Sequence, residues 1–268
     1  VDPSSINKNV VVDLPIVSDI KAALRQINHM LAEQRFSFNE AERQAWVDQI
    51  DTWKKDVPLT YCQDGQIIKP QFVVEKLFEL TRGKAIITTE VGQNQMWAAQ
   101  FYRYDNPHTF ISSGGLGTMG YGFPAAIGVQ CAFPDALVVD IAGDGSIQMN
   151  IQEMATAVQY NLPVKIVLLN NNYLGMVRQW QELFYEKRYS HTEMMVTPDF
   201  VKVAEAYGFV GLRATRPEEV EPMLKKGLFT PKPVLMEFQV AREECVYPMV
   251  RPGGSICEMT LGTREMIN

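Results

Sequence analysis

The chain is poor in the side chains that most often hold metals or redox partners. It has three histidines in 268 residues, His29, His108 and His191, and they lie too far apart in sequence to suggest a metal cluster. Its four cysteines (Cys62, Cys131, Cys245 and Cys257) include no C-x-x-C pair, and they read as reduced thiols of a cytoplasmic protein. Excess positive charge is absent too. A net charge of −6 argues against a general nucleic-acid binder. The longest apolar runs are strand-sized, so no segment is suited to crossing a membrane, and no stretch has the pattern of a secretory leader. There is no internal repeat and no low-complexity tract. What remains is 46% hydrophobic and 21% charged residues, the balance of a soluble globular protein with one large domain or two small ones.

The most informative stretch is 143–171, GDGSIQMNIQEMATAVQYNLPVKIVLLNN. Gly143-Asp144-Gly145-Ser146 ends one apolar run and Asn170-Asn171 ends another. Between them Ile151, Met154, Ala155 and Val158 fall on one face of a helix-period segment. Strand, turn, helix and strand follow in order. Parallel neighbouring strands with a right-handed crossover would bring both polar ends to the carboxyl edge of a sheet. Adjacent strands lie about 4.8 Å apart, so Asp144 and Asn171 can reach one small object. A carboxylate and an amide oxygen suit a hard cation such as Mg²⁺, which borrows further oxygens from a diphosphate. Gly143 and Gly145 allow close approach, and Ser146 offers a hydroxyl and an N–H near a helix start.

The rest of the chain extends this alternation. Ser18 reads as the N-cap of a helix with Ile20, Ala23, Leu24, Ile27 and Leu31 as its stripe. Residues 1–17 read as a strand end entering a turn. A second helix starts at Asn39, with Glu42 completing a capping-box variant and Trp46, Ile50 and Trp53 as apolar area. Residues 54–69 read as an irregular linker. Helices are predicted at 70–81 (Pro70 in its first turn), 94–101, 121–132, 174–186, 198–207 and 217–227. Strands are predicted at 85–89, 109–112, 210–214 and 233–239. The fold class is α/β: a doubly wound, mostly parallel sheet with helices on both faces. The tail, 241–268, reads as a surface wrap or as a lid over the ligand edge.

Gly115-Leu116-Gly117-Thr118-Met119-Gly120 is literally G-x-G-x-x-G, between a strand and a helix. That makes an NAD-dependent oxidoreductase a rival. The loop is over-rich in glycine, however, and Asp140, about where a ribose-binding acid should stand, lies inside an apolar strand. The rival also leaves Asn170-Asn171 without a role.

GDG and NN separated by one helix and one strand resemble the signature of the thiamin-diphosphate (ThDP) enzymes. Within them SGGLGTMGYGFPAAIG, VKIVLLNNNYLGMVRQWQELFYEKRYS, EVGQNQMWAAQ and VYPMVRPGGS resemble the acetolactate synthase family, over essentially the whole chain. Pyruvate oxidase and glyoxylate carboligase types share the motif and stay open as alternatives. The resemblance implies ThDP, Mg²⁺ and FAD as cofactors. It makes Asp144, Asn171 and the backbone carbonyl of Tyr173 the Mg²⁺ ligands. It places Val91, Gly92, Gln93 and Asn94 on the diphosphate, with Asn94 standing where the family often has His and keeping the ability to donate. It implies cofactor contacts for Gly114, Leu116, Gly117, Gly143, Gly145 and Ser146 as well. Met119 becomes the apolar prop between the two cofactor rings, and Gly175 and Met176 the turn beside the thiazolium. Trp180 matches the tryptophan at the substrate channel, which favours a 2-oxobutyrate-sized acceptor.

The implied reaction condenses pyruvate with a second 2-oxoacid, pyruvate or 2-oxobutyrate, with loss of CO₂. It gives 2-acetolactate or 2-aceto-2-hydroxybutyrate for branched-chain amino-acid synthesis. In the family an activating glutamate lies on an amino-terminal domain contributed by another subunit. None of these 268 residues reads as that domain, and Glu90 ends a strand on the diphosphate side, so it is not cast in that role. The expected organisation is the end of an FAD-associated middle domain (1–33, with Asp2 and Asp19 toward the adenosine end), a helical linker (34–69), the diphosphate and Mg²⁺ domain (70–240) and the tail (241–268). The chain then reads as the carboxy-terminal part of a larger catalytic subunit. It is expected to be inactive alone, to work as a homodimer or homotetramer, to accept a regulatory small subunit, and to bind neither nucleic acid nor membrane.

Overall fold

The computed structural model describes residues 2–33, 39–63 and 65–262. They form two compact units, divided between Pro58 and Leu59.

The first unit holds a short 3-10 turn, Pro3–Ser5, and two helices, α1 (Ile20–Glu33) and α2 (Glu40–Asp56). Residues 2–17 hold no strand, unlike the strand end expected over 1–17, of which Val1 lies outside the described residues; Asp2 caps a turn by accepting from the Ser4 N–H at 2.9 Å. The cap of α1 also differs. Asp19 accepts from the Ala22 N–H at 3.2 Å, while the Ser18 hydroxyl turns to the Asp19 carbonyl. Asn39 caps α2 through the Glu42 N–H. That helix continues through Lys54 and Lys55, favourably placed in its last turn, into the stretch expected to be irregular. Trp46 and Trp53 stack edge to face at 5.5 Å on its surface.

The second unit begins with α3 (Pro70–Thr81), its Pro at the first position. Strands β1 (Ile86–Thr89), β2 (Phe110–Ser112), β3 (Val138–Gly143), β4 (Lys165–Asn170), β5 (Val210–Ala214) and β6 (Val234–Gln239) follow. They form one six-stranded sheet in the order β2-β1-β3-β4-β6-β5, and every pair is parallel. The helices between them are α4 (Gln93–Phe101), α5 (Gly122–Ala132), α6 (Asp144–Ile147), α7 (Met154–Gln159), α8 (Gly175–Phe184), α9 (Phe200–Tyr207) and α10 (Pro217–Phe229).

Successive strand residues feed opposite faces. Val139, Ile141, Val167 and Leu169 join α3, α4 and α10 in one core. Val138, Ala142, Ile166 and Leu168 join α5, α7 and α9 in another. Because both faces are covered, the central strands read as continuous apolar runs rather than alternating ones.

The segment between β3 and β4 is not the single helix that its period predicts. It is α6, a 3-10 stretch Gln148–Glu153 and α7, with Asn150 kinked out at φ −136°. The Asn150 amide donates to the Gly120 carbonyl at 2.6 Å, a tertiary bond that accompanies the break. The kink rotates the face, so Ala157 is buried while Ala155 is exposed.

Candidate cofactor site

The chain leaves β1 toward β2 on one side and returns to β3 on the other. Strand order thus reverses between β1 and β3, and the carboxyl ends there form the crevice where open α/β sheets bind ligands. A cavity of about 130 Å³ occupies it. Of the residues expected on a cofactor or cation, Val91, Gly92, Gln93, Asn94, Gly117, Met119, Gly143, Asp144, Gly145, Ser146, Asn171, Tyr173, Gly175 and Met176 all line it. Gly114 and Leu116 do not. Nothing lies within 4 Å of a Cβ built on Gly114, and Leu116 is 95% exposed. Trp180 stands in an adjoining apolar groove with Tyr185 and Arg188, reached through Met176 and Val177, which border both. Sequence reasoning missed Trp97, Leu169, Leu174 and Val177 in the cavity wall. The helical spacing of Gln93 and Trp97, four apart, is the one signal that could have found any of them.

Asp144 is the centre of the polar end. It is 1% exposed, and its Oδ2 has no hydrogen-bond partner. Burial pushes its carboxyl up to about 7; its own backbone N–H and those of Asn171 and Asn172 pull it down, and the Glu237 charge pushes it further up. A buried acceptor left unmatched is costly, and a cation would match it. Asn171, also buried, accepts from the Tyr173 N–H at 3.1 Å and donates to Gln93 at 3.4 Å. Tyr173 bridges antiparallel to Glu193. The flanking bonds use the Asn172 carbonyl and the Leu174 N–H, which leaves the Tyr173 carbonyl uncommitted by that bridge. One carboxylate, one amide oxygen and one carbonyl are the oxygen donors a hard cation takes when a ligand diphosphate and water complete its shell. No group of three or more His, Cys, Asp or Glu side chains among the described residues could hold a metal elsewhere. The residues fit Mg²⁺ with a diphosphate.

Two expected contacts differ in detail. Asn94 lines the cavity, but both of its amide hydrogens are spent, on the carbonyls of Glu90 (2.9 Å) and Ile141 (2.8 Å). Its side chain ties β1 to β3 and offers the cavity no donor. The Ser146 hydroxyl is likewise committed: it accepts from the N–H groups of Val91 and Gly120 and donates to Glu90. Glu90 itself is fully buried and accepts from the N–H groups of Gly120 (2.8 Å) and Phe123 (2.9 Å). It fastens the glycine loop and the start of α5 to β1. Close approach makes that possible, because a Cβ on Gly122 would stand 2.3 Å from the Glu90 nitrogen. Gly175 is pressed as hard, 2.0 Å from Gln93 Oε1 by the same measure.

Asp140, the acid of the rival NAD reading, is fully buried mid-strand and accepts from Thr88 at 3.1 Å. Burial, and then the Glu90 charge, raise its carboxyl well above the usual range. It does not reach the sheet edge.

The tail packs beside the site over residues 243–247. Gln93 donates to the Glu244 carbonyl (2.8 Å), Gln100 to Tyr247 (2.9 Å), Arg178 to Glu243 (2.9 Å) and Gln179 to Val246 (2.8 Å). Cys245 and Val246 are buried there.

An all-parallel doubly wound sheet, a switch-point cavity and an Asp–Asn oxygen set define a diphosphate-binding α/β domain. A family model described as thiamine pyrophosphate enzyme, C-terminal TPP binding domain, matches residues 90–238, and the chain belongs to that family. Nearly its whole length is similar to acetolactate synthase large or catalytic subunits. The isozyme 3 large subunit of Escherichia coli (strain K12) is 47% identical over 268 residues, 99% of this chain and 47% of that protein. The mitochondrial catalytic subunit of Saccharomyces cerevisiae is 48% identical over 263 residues, 96% of this chain and 37% of that one. The chloroplastic acetolactate synthase 1 of Oryza sativa subsp. japonica is 44% identical over 268 residues, 97% and 42% respectively. The chain thus spans less than half the length of these relatives.

Proposed function

We propose that this chain supplies the diphosphate- and Mg²⁺-binding half of an acetolactate synthase active site. The reaction joins pyruvate to a second 2-oxoacid, pyruvate or 2-oxobutyrate, with loss of CO₂, at the entry to branched-chain amino-acid synthesis. The observation that carries the reading is the buried, unpartnered Asp144 Oδ2 in one cavity with Asn171 and Tyr173.

Bound ThDP supplies the electron sink for breaking and making carbon–carbon bonds. Asp144, Asn171 and the Tyr173 carbonyl would hold Mg²⁺, which would serve as a template for the diphosphate rather than as a Lewis acid. The Val91–Asn94 turn and Gly143–Ser146 would surround the diphosphate, chiefly through backbone, since the Asn94 and Ser146 side-chain donors are spent. Met119, Gly175 and Met176, which line the same cavity, would hold the ring portion of ThDP, with Met119 as its apolar prop. Trp97, Leu169 and Leu174 complete a wall that fixes orientation and limits water. Trp180 selects the acceptor from the neighbouring groove. Glu90 is committed to holding the glycine loop, and the activating acid is assigned to an amino-terminal domain of another subunit. FAD falls mostly to that remaining part of the enzyme. Asp19 spends its carboxylate on capping α1, and Asp2 on Ser4. A homodimer or homotetramer, with a regulatory small subunit, is the proposed assembly.

Among the described residues no helix is long and apolar enough to cross a membrane. The proposed location is cytoplasmic, although the yeast and rice relatives are named as mitochondrial and chloroplastic.

The test is acetolactate formation from pyruvate with Mg²⁺, ThDP and FAD supplied. The chain alone should give no product, and adding the amino-terminal half of the Escherichia coli relative should restore it. Product from the chain alone would place an activating acid within these residues and overturn the division of labour.

A further inference from the structure

We infer that Glu237 is a positioning residue for the cation site: it sets the turn Asn170–Tyr173 by fixing which way the Asn170 amide faces. This rests on the reading of Asp144, Asn171 and Tyr173 as the Mg²⁺ ligands. Glu237 lies on β6 and is 2% exposed. Its Oε1 accepts from the Asn170 amide nitrogen at 2.7 Å. A carboxylate at neutral pH only accepts, so Asn170 must present its NH₂ group to Glu237. Its oxygen is thereby turned the other way, where it accepts from the Asn172 N–H at 3.1 Å. That bond closes the turn over Asn171. It also holds Asn172 at φ +55°, in the left-handed region that asparagine tolerates better than most residues.

The carboxylate is held from its other side as well. Its Oε2 accepts from Arg213 Nε at 2.7 Å, and Arg213 Nη2 reaches Asp199 at 2.5 Å. Asp199 in turn caps α9. Neutralising position 237 would give Asn170 two amide orientations of similar energy, only one of which closes the turn. Groups that orient a ligand from behind commonly change metal affinity tenfold to a hundredfold.

The experiment measures Mn²⁺ affinity by electron paramagnetic resonance, with ThDP present, on the full chain. Glu237→Gln should weaken Mn²⁺ binding by about tenfold to a hundredfold. The exchange Asn170→Asp with Glu237→Gln should restore it to near the wild-type value. In that pair the amide at 237 donates, the carboxylate at 170 accepts, and the Asn172 N–H keeps its acceptor. A general packing defect would not be repaired by reversing donor and acceptor. Asn170→Ala, which spares the Glu237–Arg213–Asp199 pairs, should show the same loss and keeps the question open to measurement if Glu237→Gln does not fold.

Wild-type Mn²⁺ affinity in Asn170→Ala or Glu237→Gln, or an exchange variant that restores nothing, overturns the inference. Asp144→Ala separates the two levels. If it abolishes Mn²⁺ binding while the others do not, only the role of Glu237 falls. If it too leaves binding unchanged, the cation site itself is wrongly placed, and the inference falls with it.

Discussion

Two glycine-marked turns meet at the carboxyl edge of the sheet, and they behave differently. In the Gly143–Ser146 turn and the Asn170–Tyr173 turn beside it, Asp144, Ser146, Asn170 and Asn171 are buried, and the side chains of the last three are matched: Asn170 to Glu237 and Asn172, Asn171 to Tyr173 and Gln93, Ser146 to three partners. The exception is Asp144 Oδ2. In the 113–120 loop, which carries the literal dinucleotide-like spacing, residues 114–118 are exposed. Only Gly117 and Met119 reach the cavity, and Gly120 is fastened from below by Glu90 and Ser146. Trp97 Nε1 is the other buried side-chain atom without a partner among the described residues that line the cavity, and the site is marked less by glycine spacing than by the unmatched acceptor, Asp144 Oδ2.

The largest expected effect comes from removing that group. Asp144→Ala should lower Mg²⁺ affinity by more than the roughly hundredfold typical of outlying orienting groups, while the fold survives by circular dichroism. Retained affinity would erase the distinction between the two turns.

The next effect is on stability, and it contrasts two glycines of one region. Gly122→Ala forces a Cβ to within 2.3 Å of backbone and should cost about 3 kcal/mol in urea unfolding. Gly115→Ala has nothing within 4 Å and should stay within about 0.5 kcal/mol.

A smaller effect follows pH. The Asp144 carboxyl sits at about 7 in the folded chain against an ordinary 3.8. Between those values the folded state holds a proton that the unfolded state has released. Its contribution to stability is therefore full below about 4 and is lost as pH rises through about 7. In metal-free protein the stability advantage of Asp144→Asn over wild type should grow by up to about 3 kcal/mol from pH 5 to pH 8. Thermal melts at the two pH values measure it, and saturating Mg²⁺ should remove it.

The smallest effect belongs to Leu116→Ala. With Leu116 almost fully exposed, stability should change by less than about 0.5 kcal/mol, and ThDP affinity should not move.

These contrasts also mark where the sequence was legible. Strand β5 falls at Val210–Ala214, where the apolar run predicts it, and the Gly143–Asn171 unit forms a parallel pair with its polar ends together. Such features are local, set by period and turn chemistry. The kink at Asn150 was not legible because it accompanies a bond to Gly120, thirty positions away. The cap of α1 differed because Ser18 and Asp19 are both good cap residues and neighbours. Asn94 could be placed on the cavity wall, but its side-chain donors could not be known to be spent, since Ile141 is 47 positions distant. Glu237 gave no signal, because an isolated acid in an apolar strand looks like an exception until Asn170 and Arg213 are seen beside it.

The central claim is that the cavity between β1, β3 and β4 holds a diphosphate through a cation on Asp144. Calorimetric titration of ThDP into the full chain, with Mg²⁺ and then with a chelator, tests it most directly. The account predicts binding that requires Mg²⁺ and is lost in Asp144→Ala. Binding of equal strength in chelator, or unaltered binding in Asp144→Ala, would contradict it.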